Sequence, residues 1–134
     1  MRIFTTREFS RSVMGAEISE ANLVNAAIEM KEGLWDANLG GHVYKKRVAL
    51  AGRGKRGGAR TLVAFKRGDR VFFMYGFAKN QRANIAPKEK QALKRMAREL
   101  LGYELRQLNA ALEHGELIEI EVNEHEQNNT ENFA

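Results

Sequence analysis

The hydrophobic pattern changes period twice along the chain, giving helical ends around a stranded middle. Arg2–Thr5 fits a short opening strand. Thr5-Thr6-Arg7-Glu8 has capping-box spacing, and Phe9 and Val13 lie one turn apart before Gly15, which predicts a short helix. A second helix is marked by Ser19 as N-cap and by Ile18 with Leu23 as a staple. Leu23, Ala27, Met30 and Leu34 form its buried stripe, and Gly33 stops it. Leu34–Gly41 reads as a connection. Val43–Leu50 then alternates as a strand, with Tyr44, Val48 and Leu50 on one face and Lys45 and Arg47 on the other. Ala59–Lys66 repeats the pattern, with Thr61, Val63 and Phe65 set against Arg60 and Ala64. Val71–Phe77 is apolar throughout, as a central strand buried on both faces should be. After Pro87, a first-turn residue, Leu93, Met96, Ala97, Leu100 and Leu101 form a helical stripe that Gly102 ends. A shorter helix is expected over Glu104–His114, with Leu105, Leu108 and Leu112 inward, and a last strand over Leu117–Val122. The expected fold is α+β: an N-terminal helical pair, an antiparallel sheet with helices on one face and a basic concave face, and C-terminal helices. Residues 1–122 should form one domain, and Asn123–Ala134 a polar, acidic, disordered tail.

Charge changes this picture from scaffold to function. The chain of 134 residues carries a net +5, but His42–Arg82 alone holds twelve Lys or Arg and one acid, Asp69. Crowding cations costs self-repulsion, which a polyanion relieves through counterion release. Residues 113–134, by contrast, carry seven acids and no Lys or Arg. A basic middle with an acidic end points to nucleic acid as partner, or to an end that shields the middle. No cysteine is present, so disulfides and thiolate metal sites are excluded. No apolar run reaches membrane length and the first residues lack a signal-peptide core, so a cytoplasmic protein with no membrane partner is expected.

Few motifs compete with this reading. Gly52-Arg53-Gly54-Lys55-Arg56-Gly57 has the letters of a dinucleotide fingerprint, but a strand follows it where that site needs a helix. It lacks the Ser or Thr that a P-loop places after its lysine. What remains is a basic glycine-rich loop, either solvated or gripping phosphate through Arg53, Lys55 and Arg56. His42, His114 and His125 have no metal-ligand spacing, so no metal or other cofactor is expected. Acids are nearly absent from the basic segment, so catalysis there falls to Lys, Arg and Tyr. That set suits RNA cleavage by the substrate's own 2′-hydroxyl. Arginine can stabilise the charged phosphorane, and a lysine whose pKa is lowered by neighbouring cations can move a proton. The candidate catalytic residues are Lys45, Arg60 and Lys79. The candidate nucleic-acid contacts are Lys46, Arg47, Arg53, Lys55, Arg56 and Arg82.

Three segments, GLWDANLGGHVYKKR, GKRGGARTLVAF and YGFAKNQRANIAPKEKQALKRMARELLG, together resemble the RelE/ParE toxin superfamily, and within it the RelE/HigB-like subgroup. The resemblance implies a toxin of a type II toxin–antitoxin pair, with a cognate antitoxin and with mRNA and the ribosome as partners. RelE-like members cut mRNA in the ribosomal A site without metal. It carries Lys45 and Arg47, with Lys46 beside them, onto the family's basic strand. Arg60 falls on its G-x-R arginine, and Lys79 and Arg82 on the basic group after the last core strand. Asn80 stands where many of these ribonucleases have an arginine, and Ile85-Ala86-Pro87 where some carry a tyrosine. RNA binding therefore follows more directly than a particular chemical mechanism. ParE-type members poison DNA gyrase instead, so a non-enzymatic inhibitor of gyrase or the ribosome is the alternative, and a basic binding module with no toxin role a third.

Overall fold

A computed structural model of the protein describes residues 1–50, 58–66, 70–78 and 85–122. Most of the glycine-rich loop, the Arg67–Asp69 turn, Lys79, Arg82 and the acidic tail lie outside the described residues. The elements run β1 Arg2–Thr6, α1 Arg7–Arg11, α2 Val13–Glu17, α3 Glu20–Lys31, β2 Ala37–Gly40, β3 Val43–Val48, β4 Ala59–Phe65, β5 Arg70–Ala78, α4 Pro87–Leu101, α5 Leu105–Glu113 and β6 Leu117–Ile120.

The six strands form one sheet in the order β2-β3-β4-β5-β1-β6. β3, β4 and β5 pair antiparallel, as their alternation predicts. β1 lies between β5 and β6 and runs parallel to β5, with Phe4 opposite Phe72, so the sheet is mixed where an antiparallel one was expected. Its interior place follows from its content, because Ile3, Phe4, Thr5 and Thr6 are all buried. Arg2 joins β1 to the edge strand β6 through two hydrogen bonds of 2.8 Å from its guanidinium to Glu119. These bonds hold the Glu119 carboxyl below its ordinary pKa, partial burial opposes them, and the charge of Arg2 adds to the lowering.

Helices cover both faces of the sheet, which corrects the expectation of one. On one face α1–α3 bury Phe9, Leu23, Ala27 and Met30 against Ile3, Val63 and Phe73. On the other, α4 and α5 bury Ala97, Leu100 and Leu108 against Phe4, Val43, Ala64, Phe72 and Met74. Ser19 caps α3 as predicted, accepting from the Asn22 N–H. Leu34 and Leu105, expected inside, are 54% and 59% exposed.

Two further differences have local causes. The single short helix after β1 is two, broken at Ser12, whose hydroxyl donates to Phe9 O and accepts from the Gly15 N–H. Gly15 sits inside α2 because a Cβ there would stand 2.0 Å from Phe9 O. The expected Leu34–Gly41 connection contains the edge strand β2, paired to β3 through Ala37 and Asn38.

One irregularity matters for function. The pairing of β4 with β5 shifts register between Leu62 and Val63, leaving Met74 as the extra residue of a bulge on β5. Its carbonyl accepts a 2.8 Å hydrogen bond from Thr6 Oγ1, which also caps α1 by accepting from the Phe9 N–H. A one-residue shift exchanges the faces of every side chain beyond it. Tyr75 and Phe77 are thereby turned onto the α4 face, opposite Leu62 and Arg60.

Candidate nucleic-acid interface

On the α4 face, β3, β4 and β5 build two cross-strand rows. Arg47 is directly opposite Arg60, which is opposite Phe77; Lys45 is opposite Leu62, which is opposite Tyr75. Residues paired in this way share a face, and neighbouring strands lie about 4.8 Å apart. Lys45 and Tyr75 therefore flank Leu62 with their backbones about 10 Å apart, and the arginine pair closes one side. Lys45, Arg47, Arg60 and Tyr75 are half-buried, while Leu62 and Phe77 are buried beneath them. Tyr75 and Phe77 have ring centroids 6.4 Å apart. The result is one patch in which two buried apolar side chains, an aromatic ring and three cations are neighbours.

Like charges directly opposite in a sheet destabilise it. Among the described residues only Arg47 of the two has an acid at hand. Asp36, just before β2, accepts a 2.6 Å hydrogen bond from the Arg47 N–H, and its second oxygen lies 3.6 Å from Arg47 Nε. The Asp36 N–H donates to Lys45 O at 2.9 Å, which fixes the acid beside the strand. Arg47 Nε is buried and makes no hydrogen bond among the described residues, yet 41% of the side chain is exposed. Arg60 has no ion pair among the described residues. An anion over the two arginines would relieve their repulsion, and guanidinium forks match phosphate oxygens.

The structure thus brings together Lys45, Arg47 and Arg60. Lys46 is a correction. It projects to the opposite face, is 5% exposed, and sets its ammonium 3.0 Å from Glu29 Oε1 while donating to Leu34 O at 2.8 Å. Glu29 belongs to α3 and Leu34 follows its end, so Lys46 neutralises a half-buried acid and meets the negative end of a helix. Its ammonium is thus engaged on the α3 side, away from Arg47 and Arg60. Lys79, Arg53, Lys55, Arg56 and Arg82 lie outside the described residues. Sequence reasoning missed Asp36 and Tyr75. Asp36 stands in a stretch without strand alternation, and Tyr75 reaches the site only through the bulge.

Among the described residues no group of three or more His, Asp or Glu side chains is placed to hold a metal ion, and no helix is long and apolar enough to cross a membrane. No curated protein matches the chain. A family model described as the RelE toxin of the RelE/RelB toxin–antitoxin system matches residues 1–120, which take in every described strand and helix. That match spans the whole sheet and its C-terminal helices, and the chain belongs to the RelE toxin family of toxin–antitoxin systems.

Proposed function

We propose that this toxin is a ribosome-dependent mRNA endoribonuclease that inhibits translation in the cytoplasm and is held in check by its antitoxin. The observation that carries the reading is the opposed pair Arg47 and Arg60, flanked by Lys45 and Tyr75 over a buried Leu62. In the reaction the 2′-oxygen bonds to phosphorus and the bond from phosphorus to the 5′-oxygen breaks. A base takes the 2′-hydroxyl proton and the leaving 5′-oxygen gains one. Arg60, whose charge no acid among the described residues offsets, stabilises the phosphorane. Arg47, held by Asp36, orients the scissile phosphate. Lys45 serves in proton transfer, a role it shares with Lys79, which directly follows β5 in the chain. Tyr75 offers a ring on which an unstacked base can lie. Arg53, Lys55, Arg56 and Arg82 contribute phosphate contacts that position the strand without reading its sequence.

The reading is tested by inducing the wild type and Arg60→Ala in cells and mapping mRNA 5′ ends. Growth arrest with new ends inside translated codons, lost in Arg60→Ala, is the expected outcome. Arrest without new ends would contradict it and favour a toxin that blocks its target by binding.

A further inference from the structure

At the other end of the same strand pair, a pocket of about 510 Å³ opens between the β2–β3 turn and the second half of α4. Its lining includes His42, Lys66, Lys94, Arg95 and Arg98, and no acid among the described residues. None of those lysines and arginines makes an ion pair among the described residues. Lys94 and Arg98 stand one turn apart on α4, a like-charge spacing that weakens a helix.

The turn is shaped around one of these cations, Lys94. Gly40 and Gly41 have φ of 85° and 61°, and a Cβ on Gly41 would stand 3.0 Å from Lys94 Cγ and 3.2 Å from Cδ. The glycines therefore let the Lys94 stem lie across the turn. His42 follows with φ 64°, and no other non-glycine residue among those described has a positive φ. Such backbone strain persists only where the surroundings impose it, and it gathers at binding sites. Concentrated charge without counter-charge, on a strained turn built around a lysine stem, suits a compact multivalent oxyanion.

We infer that this pocket is a second phosphate site, which holds the backbone of an RNA strand that also occupies the Arg47–Arg60 site. The inference rests on the reading of that first site as RNA-binding. The spacing of the two sites favours an extended RNA strand. Lys66, which directly follows β4 and lines the pocket beside α4, lies six residues from Arg60, and His42 precedes Arg47 by five. At about 3.3 Å per residue the two sites lie about 16–20 Å apart. One extended strand can touch both.

The test uses the full chain and two non-cleavable 2′-O-methyl oligouridylates, a 3-mer and a 12-mer, followed by fluorescence anisotropy across a salt series. Arg95→Gln with Arg98→Gln, both exposed, should keep the fold and bind the 3-mer as the wild type does. It should bind the 12-mer at least tenfold more weakly at low salt, with the log–log salt slope reduced by about 1.4, the value for two lost single-strand phosphate contacts. Gly41→Ala, which removes no charge but displaces Lys94, should weaken the 12-mer in the same direction. Unchanged 12-mer affinity and slope in the double variant would overturn the inference while leaving the first site untouched. Failure of the wild type to bind either oligomer would overturn both readings. A polyglutamate peptide of equal charge that binds more tightly than the 12-mer, and only with both arginines present, would overturn it in favour of an acidic protein partner.

Discussion

Lys45 and Lys46 are neighbours of one residue type on one strand, and their environments are opposite. Lys45 stands half-buried on the α4 face beside Arg47 and Arg60, with no acid paired to it among the described residues. Lys46 is sealed against α3 by Glu29 and Leu34 O. The two faces of β3 thus use the same chemistry for different ends. On one face charge is neutralised and holds a helix to the sheet; on the other Arg47 has Asp36 beside it, while Lys45 and Arg60 have no ion pair among the described residues. A count of cations overstates the charge of the α4 face unless each is assigned to its side of the strand.

Substitutions on the two faces should separate stability from function. Arg60→Ala should slow RNA cutting by about 10²–10³, the loss expected for one preorganised group at a developing charge, and leave the denaturation midpoint near the wild-type value. Arg60→Lys should recover little of it, because the charge returns without the planar fork. A cutting rate near wild type in either variant would remove Arg60 from the chemistry.

On the buried face the effect should fall on stability. Lys46→Ala should cost about 2–3 kcal/mol in a urea titration, less than the 3–5 of a fully buried pair because the Glu29 side chain is 27% exposed. Replacing both members, Lys46→Met with Glu29→Leu, should restore most of that loss, since no acid is then left buried without its lysine. Lys45→Ala should change stability by no more than about 0.5 kcal/mol and lower the RNA salt slope by about 0.7. Equal stability losses at the two lysines would erase the distinction between the faces.

The smallest effect concerns pH and lies away from both faces of β3. The Glu119 carboxyl is depressed by Arg2, so the pair's contribution is present above the ordinary carboxylate pKa and lost as pH falls through the lowered one. Glu119→Gln should flatten the acid limb of the stability curve and leave neutral-pH RNA binding unchanged. An acid limb identical to the wild type would show that the pair contributes nothing.

Much of the architecture was legible because local pattern and tertiary environment agree. The alternation of β3 and β4, the continuous apolar run of β5, and the Pro87–Gly102 punctuation of α4 each describe an element whose burial depends on its own residues. What was not legible depends on partners distant in sequence. The parallel pairing of β1 with β5 joins residues 68 apart, and nothing in RIFTT shows its direction. The bulge at Met74 lies in VFFMYGF, where every residue is at home on either face, so only the β4 register reveals that Tyr75 enters the site. Lys-Lys-Arg carries no mark that its middle member is buried; that follows from α3 placing Glu29 above it. The second basic pocket draws on residues near 42, 66 and 98, three segments that no local window contains.

The most direct test of the central claim is the end chemistry of mRNA cut by purified toxin on programmed ribosomes, with wild type and Arg60→Ala compared. Attack by the 2′-hydroxyl over an arginine-lined site predicts a 2′,3′-cyclic phosphate upstream and a 5′-hydroxyl downstream, at a rate at least about a hundredfold lower in the variant. Ends bearing a 3′-hydroxyl and a 5′-phosphate, or equal rates for the two proteins, would contradict it.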